Sequence, residues 1–366
     1  MTKRNYGIDF LRILSMFMVV ILHVLGQGGI LFNAPAFSGH YFGSWFWEIL
    51  CYGAVNCFAI ISGFVAYTSK PKVSRLAELW LQTAFYALTF TAVFFLLFPD
   101  RFNISLLLSA VFPITRGHYW YISAYFGLYL LTPLLNLAIR QVEEKTGAVV
   151  LLSAFFFFTV LPAGLLNEPF QMHEGYSMIW LMLMYFVGGY LRKFDVITRV
   201  KSSTAWLMFG GCSVFTFGWY VTTLLLSSKI SIASRFANTL VEYTSPTVVL
   251  AAVFLFIACA KLSFPKRIET VIGAFAPAAL GVYLVHVCLP VWNYVIKDFA
   301  KGLLQVPAIV MFLLVPLCAT AIYLVCTAIE LLRIRLFRWW HIDEDCVRLE
   351  GWLSRWFDRA WNRIKK

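Results

Sequence analysis

Apolar runs of about twenty residues recur along the whole chain, and they constrain the fold more than any other feature of the sequence. Hydrophobic residues make up 61% of the 366 residues, and charged residues only 13%. Ordinary soluble domains are roughly 45–50% apolar and 25% charged, so this composition predicts a membrane protein. The runs lack the alternation of about ten-residue strands that a transmembrane barrel requires, which favours an all-α, polytopic fold.

Ten segments are apolar and long enough to cross a hydrocarbon core of about 30 Å as helices. They are residues 7–30, 45–68, 77–98, 118–139, 148–166, 176–191, 204–226, 240–260, 270–295 and 304–330. The first follows Lys3 and Arg4 and could pass for a signal peptide, but it has no small-residue cleavage site, so we expect it to stay as structure. We therefore predict a transmembrane domain over residues 1–332 and a tail over residues 333–366.

The placement of basic residues predicts the orientation of these spans. Of the 30 Lys and Arg residues, 23 fall at the amino terminus, in the loops after even-numbered spans and in the tail, and six fall in the opposite loops. When the termini are left out, the loops after even-numbered spans still hold 12 Lys and Arg residues, compared with six in the opposite loops. The positive-inside rule then places both termini in the cytoplasm, with the spans in the plasma or inner membrane. The net charge of +12 is mostly this topological signal, and it does not indicate nucleic-acid binding.

The tail has the pattern of a basic amphipathic helix. Its apolar positions recur at helical spacing and are Leu349, Trp352, Leu353, Trp356, Phe357, Ala360, Trp361 and Ile364. Arg348, Arg355, Arg359, Arg363 and Lys365 occupy the other face, together with Asp358. Such a helix is typical of the headgroup region of a membrane, with membrane lipid as its partner. An anchor without chemistry and a regulatory or docking segment both fit this pattern.

The first span, "GIDFLRILSMFMVVILHVLG", contains three polar residues that a simple anchor would avoid. Arg12 and His23 are eleven residues apart, so on a helix they share a face and differ in height by about 16 Å. Asp9 precedes Arg12 by three residues and can pair with its guanidinium. Arg12 alone could simply reach the cytoplasmic interface, and His23 alone could be a core histidine bonded across helices.

Two further histidines fall where they could share a cavity with His23. His286 lies in "ALGVYLVHVCLP" at a similar predicted depth, and His118 precedes the fourth span in "RGHYWYISAYFGLYLLTP". A neutral imidazole within reach of a hydroxyl can act as a general base. An arginine near the cytoplasm can bind a phosphate group through two of its N–H donors. None of the usual spacings of metal ligands is present, so we expect no metal.

Several motifs, taken in order, resemble the acyltransferase-3 family of integral membrane acyltransferases. Asp9, Arg12 and His23 resemble its amino-terminal signature, and "FAIISGFV" at 58–65 is similar to its Ser-Gly segment. "HYWYISAYFGLYLLTPLL" at 118–135 resembles its His-x-Trp stretch, and "LGVYLVH" at 280–286 its late Tyr-x-x-His motif. The resemblance covers most of the chain and agrees with the count of ten helices.

The resemblance implies transfer of an acyl group, usually acetyl, from cytoplasmic acyl-CoA to a hydroxyl of a cell-surface carbohydrate or its lipid-linked precursor. It implies that His23 is the catalytic base, with His286 as a second catalytic candidate. Arg12, supported by Asp9, and Arg75 and Lys72 would hold acetyl-CoA, with Lys70 as a further positive charge. His118, Trp120 and Tyr283 would contact the acceptor, as would the outer loops at 28–44 and 164–175. Ser62 and Gly63 would let helices approach closely.

The main alternative is a transporter or flippase for a sugar, a lipid-linked intermediate or an amino acid. Such a protein would use the same intramembrane His and Arg residues for binding or proton relay. A sensing module is a third possibility. The sequence leaves open the acceptor, the acyl chain length, an acyl-histidine intermediate, and the choice between monomer and homodimer.

Overall fold

The computed structural model describes residues 4–101, 103–227 and 229–364, and within these ranges it is helical, with no strand. The principal helices are α1 Tyr6–Leu25, α2 Gly39–Cys51, α3 Ala54–Ala66, α4 Val73–Leu97, α5 Ile104–Val111, α6 Trp120–Gln141, α7 Glu144–Leu165, α8 Met178–Lys193, α9 Ser202–Ser227, α10 Pro246–Ala260, α11 Lys266–His286, α12 Ala308–Trp339 and α13 Ile342–Ile364. Short helical turns lie between them at Pro99–Arg101, His173–Gly175, Val196–Arg199, Ala233–Phe236, Leu289–Val291, Trp292–Ile296 and Lys301–Gln305. Lys3 and Lys365 lie outside the described residues.

Eight helical segments of the described chain are long and apolar enough to cross a membrane: α1, α2 with α3, α4, α6, α7, α9, α11 and α12. This confirms an all-helical membrane protein. The predicted sixth and eighth spans are also helices, but α8 has 16 residues and α10 has 15. Each is shorter than the roughly 20 residues that a perpendicular crossing needs.

Helix α1 lies at the centre of the bundle, where it packs against α2, α3, α10, α11 and α12. In its most apolar window 67% of the residues are buried, compared with 11% in α7, whose side chains such as Leu152 remain exposed. The helix begins where the Asn5 side chain accepts hydrogen bonds from the backbone N–H groups of Gly7 and Ile8. A polar side chain on α1 is therefore placed inside the protein.

Two of the predicted spans are interrupted near the centre of the bundle. The second, predicted as 45–68, begins earlier at Gly39 and breaks at Tyr52–Gly53 between α2 and α3. The ninth, predicted as 270–295, contains a 3₁₀ turn at Ala276–Ala278 and ends at His286. Pro290 follows this end and has no N–H to continue a helical ladder. Both breaks bring side chains from helix ends into the interior.

Helices α3 and α8 cross at glycines, and their backbones touch. A Cβ at Gly63 would overlap the Tyr185 carbonyl, and a Cβ at Gly188 would overlap the Ile60 carbonyl. The expectation that Gly63 permits a close helix approach is confirmed by this contact. Ser62 instead points its hydroxyl to the Phe58 carbonyl at 2.9 Å, within its own helix.

The last two helices do not meet at residue 332, where the sequence predicted the transmembrane domain to end. Helix α12 continues unbroken to Trp339, and α13 then packs against α4 and α12. Inside α12 the Glu330 carboxylate is fully buried and accepts hydrogen bonds from Gln82 and Tyr86, while it pairs with Arg333. On α13, Trp352 and Trp356 are more than half exposed. The division of the chain into two domains stays a prediction.

The α3–α8 crossing generates a prediction about stability. Replacing Gly63 with Ala forces the two backbones apart, so we expect a loss of about 1–3 kcal/mol in the free energy of unfolding. The matched control is Gly211→Ala in α9, where an added Cβ meets nothing within 4 Å. Thermal unfolding of the detergent-solubilised protein should show a lower midpoint temperature for Gly63→Ala than for the wild type. The midpoint of the control should not be lowered. Equal midpoints would contradict the close contact.

Candidate active site

The first turns of α1 place a paired arginine at one end of the protein interior. Asp9 is buried, and its two carboxylate oxygens accept from Arg4 at 2.5 Å and from Arg12 at 2.9 Å. The Arg12 side chain is 32% exposed, so its guanidinium has further donors available beyond the bond to Asp9. The predicted pairing of Asp9 with Arg12 is confirmed, and it holds the guanidinium in a fixed position.

The far end of α1 places His23 beside His286 of α11. His23 Nδ1 lies 2.8 Å from His286 Nε2, and His286 Nδ1 lies 2.5 Å from the carbonyl oxygen of Val282. Because the carbonyl can only accept, His286 Nδ1 carries a proton, and its Nε2 in the neutral ring then accepts. His23 must therefore donate from Nδ1, which leaves its Nε2 with a free lone pair.

Neighbouring side chains fix the ring of His23. Trp292, in the short turn after α11, meets it edge to face with ring centres 4.8 Å apart. Gln27 donates to the Trp292 carbonyl at 3.2 Å and so ties this turn to the end of α1. His23 is half-buried and His286 is 1% exposed. The imidazole with the free lone pair is thus the accessible one of the two.

A cavity of about 680 Å³ joins these groups. Five of the predicted site residues border it, namely Arg12, His23, His118, Trp120 and Tyr283. Asp9 reaches it only through Arg12, and His286 only through His23. The shared face that helical spacing predicted for Arg12 and His23 is therefore the cavity-facing side of α1.

His118 and Tyr283 border the cavity in different ways. His118 donates from Nε2 to the Val287 carbonyl at 2.7 Å, which anchors the start of α6 to the end of α11. Tyr283 lies one turn before His286, with the two rings 6.2 Å apart and nearly perpendicular. Its buried hydroxyl meets no hydrogen-bond partner of acceptable geometry among the described residues. That hydroxyl is enclosed by protein atoms, so Tyr283 borders the cavity through other atoms of its side chain.

Arg75 borders a second cavity of about 300 Å³ that adjoins the first. Tyr125 and Leu280 line both cavities. Tyr125 also interacts electrostatically with both Arg12 and Arg75. Lys72 is exposed and lines neither cavity; its backbone N–H donates instead to the hydroxyl of Tyr129. Of the predicted cationic residues, Arg12 and Arg75 therefore line adjoining cavities, whereas Lys72 lines neither.

Sequence reasoning missed a group of cavity-lining residues that come from helix ends and breaks. These residues are Glu48, Tyr52, Tyr176 and Tyr243. An acidic residue in the apolar stretch "GSWFWEILC" was the one available signal for Glu48. Of the outer loops, residues 28–44 contribute Phe32 to the cavity, and Tyr176 directly follows residues 164–175. The described residues contain no group of three or more His, Cys, Asp or Glu side chains placed to hold a metal ion.

Comparison with known families identifies the chain. The model of an acyltransferase domain, that of the acyltransferase-3 family, matches residues 5–330, from the cap of α1 to Glu330 in α12. Comparisons with curated proteins and with solved structures each gave no match. The matched region contains the paired arginine, both histidines and all the residues that line the cavity. The chain therefore belongs to the acyltransferase-3 family, and it is a membrane acyltransferase.

Proposed function

We propose that the protein transfers an acetyl group from cytoplasmic acetyl-CoA to a hydroxyl of a cell-surface carbohydrate or its lipid-linked precursor. The observation that carries this proposal is that His23, with a free Nε2 lone pair, and Arg12 border one cavity. A base and a phosphate-binding group in one cavity are what acyl transfer from a nucleotide thioester requires. Membership of an acyltransferase family supports this chemistry over transport.

Arg12 and Arg75 are the proposed binding groups for the phosphates of the donor. Arg12 has guanidinium donors left after its pairing with Asp9, and Arg75 is exposed beside the adjoining cavity. Eleven residues of helix separate Arg12 from His23, a rise of about 16 Å. An extended pantetheine arm is of comparable length, so the nucleotide can remain near the arginines while the thioester reaches His23.

His23 is the proposed catalytic base. In direct transfer its Nε2 takes the proton of the acceptor hydroxyl while the hydroxyl oxygen attacks the thioester carbonyl. The C–S bond then breaks, and the departing coenzyme A thiolate recovers the proton from His23. In the two-step route Nε2 attacks the carbonyl itself, the C–S bond breaks, and the coenzyme A thiolate departs to leave an acyl-imidazole. The acceptor hydroxyl then takes the acyl group as the C–N bond breaks, which restores the free Nε2, and the hydroxyl proton passes to the thiolate. Both routes require an unprotonated Nε2.

The proposed orientation has both termini in the cytoplasm of a cell-membrane protein with ten helical crossings, α8 and α10 included. The distribution of Lys and Arg supports this orientation. Helix α13 would lie in the headgroup region, with its exposed tryptophans, such as Trp352 and Trp356, towards the lipid.

For His23 we expect that substitution by Ala abolishes transfer while the protein remains folded in the membrane. Loss of a general base typically costs about 10²- to 10⁴-fold in rate. The measurement is the transfer of labelled acetyl from acetyl-CoA by purified protein reconstituted in liposomes. The matched control is His341→Ala, because His341 lies before α13 and pairs only with Glu344. Robust transfer by His23→Ala would exclude the base assignment.

For His286 we expect a positioning role that depends on its acceptor atom. His286→Leu removes the partner of His23 Nδ1 and should lower kcat about 10- to 100-fold, because a hydrogen bond to the imidazolium that forms contributes roughly 1.5–3 kcal/mol. The KM for acetyl-CoA should change little. His286→Gln retains an acceptor oxygen and should recover part of the loss. Nitrogen-15 NMR of His23 should show a fixed tautomer in the wild type and a tautomer mixture in His286→Leu. Equal activity of the Leu and Gln variants would indicate a packing role instead.

For Arg12 and Arg75 we expect a loss of donor affinity that depends on the phosphates. Each substitution by Gln should raise the Kd for acetyl-CoA about 10- to 100-fold, since hydrogen bonds between charged groups contribute roughly 1.5–3 kcal/mol. The Kd for S-acetyl-pantetheine, which lacks the nucleotide, should be unchanged. Arg348→Gln on α13 is the control, because Arg348 pairs with Glu344 and Asp345. A similar loss of affinity for both ligands would mean that the arginine shapes the cavity and does not bind the phosphates.

A further inference from the structure

Glu48 is a buried carboxylate without a hydrogen-bond partner on one of its oxygens. It lies on α2, is 9% exposed and lines the 680 Å³ cavity. Its Oε2 accepts no hydrogen bond from any described residue. Oε2 itself is enclosed by protein atoms, so a ligand in the cavity would reach the carboxylate through its other oxygen. An isolated carboxylate in a membrane interior is costly, so a residue of this kind indicates a ligand that supplies a partner.

The other buried carboxylates of the membrane region are paired. Asp9 is held between Arg4 and Arg12, and Glu330 pairs with Arg333. In residues 4–101, 103–227 and 229–364 no Lys, Arg or His forms an ion pair with Glu48. Glu48 therefore has no counter-ion among the described residues.

Four aromatic rings form a wall of the same cavity. Tyr52 and Tyr243 are stacked with ring centres 4.7 Å apart, and Trp120 and Tyr176 are 4.6 Å apart. Tyr176 and Tyr243 join the two pairs at 5.0 Å. All four rings line the cavity together with Glu48. Aromatic faces carry a partial negative charge. They attract cations and the C–H face of a sugar ring.

The scaffold holds this aromatic wall in place. Asn56 on α3 donates to the Tyr243 carbonyl at 2.8 Å and accepts from Trp180 on α8 at 2.8 Å. Gly175 has a φ of +97°, and a Cβ there would overlap the Tyr243 side chain. A glycine at this position lets the chain bring Tyr176 against Tyr243. Contacts with α3 and α8 therefore preorganise the wall.

Further acidic side chains lie near the aromatic wall. Glu174 is close enough to Tyr52 and Glu242 to act on both electrostatically, and Glu168 also acts on Glu242. Arg12, which would bind the anionic donor, is on the first turns of α1, where it shares the Asp9 carboxylate with Arg4. The cavity thus has one end suited to an anion and one wall suited to a cation.

We propose that Glu48 and the aromatic wall of Tyr52, Trp120, Tyr176 and Tyr243 form an acceptor subsite for a sugar ring that bears a protonated amine. The ring lies against the aromatic faces, and the ammonium group pairs with the Glu48 carboxylate. The name acceptor subsite rests on the proposed function, whereas the binding of an amino sugar does not.

The test measures binding without any acyl donor, using the full-length protein in nanodiscs. Equilibrium dialysis compares labelled methyl glucosaminide, methyl glucoside and choline. We expect the wild type to bind methyl glucosaminide at least about tenfold more tightly than either of the other probes, because it alone satisfies both the carboxylate and the wall. Equal binding of the two glycosides, stronger binding of choline, or no binding of methyl glucosaminide would overturn the proposal, and this comparison needs no variant.

Two variants locate the preference. Glu48→Gln keeps the shape and removes the charge, so the affinity for methyl glucosaminide should fall to that for methyl glucoside, which should not change. Glu344→Gln on the exposed surface of α13 is the control and should leave both affinities unaltered. An unchanged preference in Glu48→Gln, or an equal loss for both glycosides, would overturn the role of Glu48 as a counter-ion.

Failure of this inference is distinguishable from failure of the proposed function. A Glu48-dependent preference in a protein that transfers no acetyl group would retain the subsite and reject the acetyl transfer. Transfer to an acceptor without any Glu48-dependent preference would retain the enzyme and reject the subsite.

Discussion

The structure depends on one constraint of the membrane interior: a polar side chain must find its partner within the protein, because the hydrocarbon offers none. Asp9 is satisfied by two arginines and Glu330 by Arg333, Gln82 and Tyr86. These contacts also bind helices to one another, since Glu330 of α12 accepts hydrogen bonds from two side chains of α4. Polar contacts of this kind, with the glycine crossing of α3 and α8, fix the relative positions of the helices.

The same constraint gives the candidate site its chemistry. His286 has its own proton committed to the Val282 carbonyl, so it can only accept from His23. His23 consequently turns an unprotonated nitrogen to a cavity that also reaches Arg12. Glu48 departs from the rule because its Oε2 has no partner. A satisfied network thus orients the proposed base, and an unsatisfied group beside an aromatic wall marks the proposed place for a ligand.

Much of the fold follows from hydrophobic length alone, and the deviations have local causes. Eight predicted spans correspond to helical segments long enough to cross, and α8 and α10 are shorter because their runs end at polar positions. The break at Tyr52–Gly53 and the end of α11 at His286 were not predicted, since apolar residues continue through both. Hydropathy reports which residues prefer lipid, but a break inside an apolar run is decided by packing and by residues such as Gly53 and Pro290.

The sequence by itself determined the helical membrane fold, the pairing of Asp9 with Arg12, and the common face of Arg12 and His23, because all three follow from spacing along one chain segment. The family was also recognisable from ordered motifs. Only the tertiary structure decided that His286 reaches His23 and not the cavity, and that Lys72 lines neither cavity. It also gathered Glu48, Tyr52, Tyr176 and Tyr243 from distant segments. Contacts between helices depend on how their faces pack in three dimensions, which no spacing within one segment encodes.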